Sequence, residues 1–257
     1  AVNTGNVVDS GTLAQGPLEL PVAALPNVFI LLDDSEATAS DILTDQSEGY
    51  YAVGNLTKTW FLPEDGTGRP SYAVSEAKDP TAGLWRLRNK DYNKVYYNPG
   101  ISYLPWVGLD NRGDNFPNSH PTAAISDPYT QNSQKINLTV GRDMPGSDSN
   151  VFLAKYYTWT DIDDAINCPD NVVGVVDGTS PITAAGGPCT EGTLVEIKPT
   201  TSLYPKGPNR TDCVGVNCTY EEEIQNFANF YSFGRTRHYT AKNALGGILA
   251  APENMRI

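Results

Sequence analysis

Residues 27–37 read NVFILLDDSEA, and how that stretch is read decides the fold. Val28 to Leu32 form an unbroken apolar run, and Asp33, Asp34 and Ser35 follow at once. A run without alternation predicts a strand covered on both faces, as in a parallel α/β sheet. Such sheets carry their polar chemistry at the carboxyl ends of the strands. The stretch therefore predicts an α/β fold with two carboxylates and a hydroxyl at a strand edge.

Outward from that stretch, the chain has 257 residues, 39% of them hydrophobic, enough for one large domain or two small ones. Only 19% are charged, and the formal net charge is −12. That charge, with no Lys/Arg cluster, argues against nucleic acid as a partner, because phosphate would be repelled. No apolar run approaches the ~18 residues of a membrane-spanning helix. The polar opening AVNTGNVVDSG looks like a mature N-terminus left by cleavage.

A parallel strand should feed a crossover helix within roughly 2–6 residues. After Ser35 no amphipathic helix of that kind follows. Instead, Tyr-, Asn-, Gly- and Pro-rich sequence runs to residue 218, too long for a plain loop. Short strands are predicted at 50–53, 57–62, 95–97, 136–140, 152–158, 172–176 and 193–197, and an edge strand around Leu18, Leu20 and Val22. Turn-forming clusters such as PEDGTGRP and DNRGDNFPNSHP separate them. The region reads as an irregular insertion with small antiparallel sheets. Of the three ways to pair the cysteines, the sequence-local one, Cys168 with Cys189 and Cys213 with Cys218, is expected, in an oxidising compartment. Two imidazoles, His120 and His238, and no C-x-x-C make zinc unexpected.

Helix signals return at Thr219. Thr219 and Glu222 form a capping box, and Glu221 to Glu223 place negative charge at the positive end of the helix dipole. Ile224, Phe227, Ala228, Tyr231, Ala241, Leu245, Ile248 and Leu249 recur at helical spacing, and Pro252 stops the pattern. A single helix of about 30 residues is expected, the crossover missing after the first strand. The predicted organisation is thus 1–35, a lead and first strand; 36–218, the insertion; and 219–257, the first long helix and the start of a second strand. One strand and one helix do not complete a doubly wound domain, so further polypeptide or a neighbouring chain is expected to finish it.

Several blocks carry a family resemblance in the same order. They are PNVFILLDDS (26–35), NKVYYNPGISYLPW (93–106), AKYYTW (154–159), and the long run from VEIKP to TAKNAL (195–245), centred on QNFAN and RTR. The chain resembles the N-terminal region of the PilY-type proteins, adhesins and assembly factors at the tips of type IV pili. The resemblance implies a von Willebrand A-like domain interrupted by a large insertion. It further implies an extracellular or cell-surface protein, exported through the periplasm, that works with major or minor pilins and binds a receptor this sequence does not identify. The family's calcium-binding β-propeller has no counterpart within residues 1–257.

A von Willebrand A domain begins its metal-ion-dependent adhesion site with D-x-S-x-S. Asp33 and Ser35 match the first two positions, but the third is Ala37, which has no side-chain oxygen. Mg²⁺ or Ca²⁺, both oxygen-liganded, are the only cofactors the site suggests, and a damaged ligand set argues for none. The bland alternative is that Asp33 and Asp34 accept from backbone amides. Tyr96, Tyr97, Tyr103 and Trp106 offer a possible sugar- or peptide-binding platform, against the alternative of a small core for the insertion. Arg235 and Arg237 read as salt-bridging or snorkelling side chains. Arg112-Gly113-Asp114 reads as a turn. Sequons start at Asn55, Asn137, Asn209 and Asn217. No nucleophile–base motif appears. The chain reads as a non-catalytic binding protein. The alternatives are a processed fragment that assembles into or coats a filament, and a surface hydrolase whose carboxylates converge only in space.

Overall fold

The computed structural model describes residues 29–33, 41, 43, 51–53, 56–58, 88–130, 133–141, 152–158 and 193–250. The chain divides into two units, 1–31 with 252–257, and 32–251. The helices from residue 220 onward therefore group with the residues expected to be an insertion.

Among the described residues the strands pair as four separate antiparallel hairpins or ribbons. These are β1 (Tyr51–Val53) with β2 (Leu56–Lys58), β3 (Ala124–Ile125) with β4 (Lys135–Ile136), β5 (Lys155–Thr158) with β6 (Thr193–Glu196), and β7 (Leu203–Pro205) with β8 (Asn217–Thr219). In β5–β6, Tyr156 lies opposite Val195 and Lys155 opposite Glu196. Two helices follow, α1 (Tyr220–Phe233) and α2 (Arg237–Ala250). The class is mixed α/β, but every paired strand among the described residues is antiparallel. Among the described residues, Ile101 and Asn209 make an isolated parallel bridge.

Residues 29–32, the described part of the segment, do not form the covered strand its apolar run predicts. Residues 29–33 carry no strand, and Phe29 and Leu31 are 98% and 99% exposed. An apolar run is buried only if another element covers it, and no described residue pairs with this one.

α1 begins as expected. Thr219 Oγ1 accepts from Glu222 N at 3.2 Å, and Glu222 Oε2 accepts from Thr219 N at 2.8 Å. Glu222 also receives Val214 N at 2.9 Å. The expected long helix, however, is two helices. Gly234 caps α1 by donating to Phe230 O, and Thr236 Oγ1 accepts from Tyr239 N to start α2. A Cβ at residue 234 would stand 3.2 Å from the Tyr103 ring, so glycine lets that ring close over the break.

Replacing Thr219 with alanine should cost about 1 kcal/mol in urea unfolding, the usual value of a lost N-cap. The backbone amides of Thr219 and Val214 hold the Glu222 carboxyl below its ordinary value of 4.5. Folding therefore favours the charged form. This contribution is full above pH 4.5 and fades as pH falls through the lower folded value. Glu222→Gln should flatten that acid limb of the stability profile.

Ten of the fourteen residues of α1 are buried, from Glu223 and Ile224 through Phe233. A helix buried around most of its circumference is a central post rather than a surface element. Tyr96, Tyr97, Tyr156, Tyr204, Ile136, Leu138 and Ile197 pack with its Phe227, Phe230 and Tyr231. The strand expected at 95–97 is a turn, and the one expected at 136–140 is present only at Ile136, in β4. Residues 95–97 are held locally, with Tyr96 N donating to Asn93 O. After Ile136 the chain leaves the ladder, where Asn137 Oδ1 accepts from both Thr139 N and Thr139 Oγ1. The predicted strands at 18–22 and 172–176 lie outside the described residues.

Candidate functional site

The aromatic block from residue 92 to 106 lies against α1. Tyr97 is fully buried, its ring 4.9 Å from Phe227, 5.5 Å from Phe230 and 5.6 Å from Tyr103. Tyr96 meets Phe230 edge-on at 5.6 Å. Trp106 packs edge-on against Phe233, Phe116 and Tyr239, and its indole Nε1 donates to Phe233 O at 2.8 Å. The structure thus gathers Tyr96, Tyr97 and the partly buried Tyr103 in one cluster against α1 and packs Trp106 separately, against Phe116, Phe233 and Tyr239. A ligand platform needs open ring faces, and Tyr96, Tyr97 and Trp106 are buried. The small-core alternative describes them.

An irregular segment has no ladder partners, so its backbone groups need side chains instead. α1 supplies them from one polar stripe, Gln225, Asn226, Asn229 and Ser232. Asn226 Oδ1 accepts from Tyr103 N at 2.6 Å, and its Nδ2 donates to Tyr97 Oη and Ile101 O, both at 3.0 Å. Asn229 Oδ1 accepts from Ser119 N at 2.9 Å, while Nδ2 donates to Tyr103 O and Asn118 Oδ1. Gln225 donates to Ser119 O, and Ser232 to Ile125 O. Three-to-four spacing of amides inside an otherwise apolar helix is the sequence signal for this set.

Beneath the block lies a buried charge network. Arg210 Nη1 donates to Glu223 Oε2 at 2.6 Å, and Tyr97 Oη donates to Glu223 Oε1 at 2.8 Å. Arg210 Nε and Nη2 each reach Asp212 at 2.8 Å, and Nη1 also reaches Pro99 O. Ser102 Oγ donates to Asp212 and accepts from Thr211 N. Burial pushes the Glu223 carboxyl upward. Burial, reinforced by Glu223, pushes Tyr97 well above the ordinary phenol value. Tyr103, which receives Asn98 N, is pushed up to about 12 by burial. Burial opposes ionisation of Asp212, but the Arg210 and Ser102 hydrogen bonds outweigh it and hold its pKa low. The side chains of Arg210 and Glu223 are both fully enclosed, so their hydrogen bonds are spent on other protein groups. Within the acidic trio, only Glu222 takes part in the capping box. Glu223 is the buried member of an ion pair.

The remaining candidates fall as follows. Asp33 is exposed, while Ser35 and Ala37 lie outside the described residues. Among the described residues no group of three His, Cys, Asp or Glu side chains converges. The Cys213–Cys218 disulfide is formed, and Cys168 with Cys189 lies outside the described residues. Arg235 does not reach outward. It is buried, donates to Tyr231 O at 2.9 Å, and stacks over the Tyr231 and Tyr239 rings at 4.5 and 5.4 Å. Arg112-Gly113-Asp114 is a turn, with Gly113 at φ 87°, a left-handed conformation suited to glycine. His120 accepts from Thr122 N and caps the short 3₁₀ turn Pro121–Ala123, and His238 lies in α2.

Comparison with protein-family models, with curated proteins and with solved structures gave no match.

Proposed function

We propose that the chain is the N-terminal region of a PilY-like cell-surface protein, an adhesin or assembly factor that works with type IV pilins by binding and without chemistry of its own. One observation carries this reading. The blocks that bear the resemblance, 93–106, the Ala154–Tyr156 part of the third, and 195–245, are the ones that α1 gathers into a single core through Asn226, Asn229 and the Tyr97–Glu223–Arg210 network. Mutual packing of these blocks is what the reading expects if they form one unit. In the finer form of this reading, 27–32, which carries no strand at residues 29–33 here, would become the first strand of a von Willebrand A-like sheet only on pairing with further strands. Strands from further polypeptide or neighbouring copies cover its exposed apolar side chains. No metal is assigned to Asp33 and Ser35. Immunogold labelling of producing cells with antibody to this chain should mark type IV pili and vanish from cells that make none. Equal labelling of bald cells would contradict the assignment.

A specific observation also favours the filament-forming reading. Leu104, Val107 and Leu109 on one loop, and Ile248 and Leu249 late in α2, stay 47–60% exposed. The loop and helix meet at Gly246, where a Cβ would lie 2.8 Å from Val107 O. Apolar side chains grouped this way suit contact with another chain. Sedimentation of the isolated protein as a monomer at high concentration would remove self-assembly and leave pilin binding.

A further inference from the structure

A cavity of about 450 Å³ opens between the turn at residues 109–115 and the β3–β4 hairpin. Small-molecule sites run roughly from 300 to 1,000 Å³, so this one suits a single small ligand. Its wall combines one flat aromatic, Tyr129, with the polar side chains of Asn111, Arg112, Thr130 and Lys135. The turn and the hairpin loop are tied across it by Asn111 Nδ2, which donates to Tyr129 O at 3.5 Å.

The charges around this cavity are unevenly spent. Asp110 accepts from Arg112 N, Nε and Nη2 and from Asp114 N, at 2.7 to 3.0 Å, so its carboxylate is saturated. Asp127 is likewise occupied, taking Tyr129 N and the Thr130 hydroxyl. Arg112 uses two of its nitrogens on Asp110 and keeps Nη1 without a partner among the described residues, on a side chain 65% exposed. The Lys135 side chain, exposed on β4, has no ion pair or hydrogen bond among the described residues. In a chain of net charge −12, this cavity presents the Lys135 ammonium and the one guanidinium nitrogen left over from the Arg112–Asp110 ion pair, beside a half-exposed tyrosine ring whose centroid lies 5.8 Å from Lys242 Nζ.

We propose that this cavity binds a carboxylate-bearing pyranose, such as the hexuronate unit of an acidic surface glycan. Tyr129 lies against the apolar C–H face of the sugar, as aromatic rings with polar tips do at sugar sites. Arg112 Nη1 and Lys135 Nζ take the carboxylate, a charge-assisted contact. Asn111 and Thr130 meet ring hydroxyls. The site uses none of the residues that carry the pilus reading and stands whether or not that reading holds.

The probe is D-glucuronate, titrated into the full chain by isothermal calorimetry at physiological salt, with D-glucose and acetate as comparisons. Saturable glucuronate binding is expected, at least about tenfold tighter than either comparison, the scale of one lost charge-assisted hydrogen bond. Lys135→Gln, at an exposed and unpaired position, should weaken it about tenfold, and Tyr129→Ala should weaken it comparably. Lys135→Gln keeps the test valid if Tyr129→Ala misfolds. No saturation by glucuronate, or unchanged affinity in Lys135→Gln, would overturn the site. Glucose binding as tightly as glucuronate would overturn the role of the cations, and acetate doing so would overturn the sugar assignment.

Discussion

Replacing Arg210 with methionine should destabilise the protein by about 3–5 kcal/mol, the cost of leaving a buried charge without its partner. Methionine keeps much of the side chain's bulk, so the loss is chiefly electrostatic. Glu223 would retain only the Tyr97 hydroxyl at 2.8 Å and lose the guanidinium at 2.6 Å. Asp212 would lose both of its Arg210 contacts. Adding Glu223→Gln to that variant removes the stranded charge. The double variant should therefore fall well short of the summed losses. Urea unfolding at neutral pH measures all three. A cost below about 1 kcal/mol for Arg210→Met, the range of an exposed pair, would mean that the network does not hold the fold.

Phe227→Ala should cost a similar amount, about 3–5 kcal/mol, for a different reason. The ring is fully buried and lies 4.9 Å from Tyr97 and 5.4 Å from Phe230. Its removal leaves a void among groups fixed by hydrogen bonds, since Tyr97 is held by Glu223 and Asn226 and cannot move in to fill it. Phe227→Leu keeps most of the volume and should cost under about 1.5 kcal/mol. Equal losses for the two would show that volume at this position does not matter and that the aromatic contacts carry the effect.

Local signals were the legible ones. Thr219 and Glu222 sit three residues apart, and the capping box they predict needs nothing from elsewhere in the chain. Cys213 and Cys218 are close enough in sequence to pair wherever the rest of the fold goes. The strands expected at 152–158 and 193–197 form at Lys155–Thr158 and Thr193–Glu196, inside the expected bounds.

What failed depended on partners. The run at 28–32 looks buried only on the assumption of flanking strands, and Phe29 and Leu31 are open instead. The break at Gly234 follows from a tyrosine more than 100 residues earlier, because the Tyr103 ring occupies the space a side chain would need. Tyr96, Tyr97 and Trp106 have the composition of a binding surface. Packing against α1, which arrives from the far end of the chain, and for Trp106 also against Phe116 and Tyr239, makes them core. The pairing of Arg210 with Glu223 was hidden for the same reason, since an acidic residue in a first helical turn already has a sufficient local explanation in the dipole.

The central claim is that the 92–106 block and α1 fold as one cooperative unit across that sequence distance. Native-state hydrogen exchange on the full chain tests it most directly. The backbone amides of Tyr96, Tyr103 and residues 227–231 should exchange through a shared opening, with one opening free energy and one dependence on denaturant. Protection of α1 alone, with Tyr96 and Tyr103 exchanging freely at a much lower opening energy, would contradict the account.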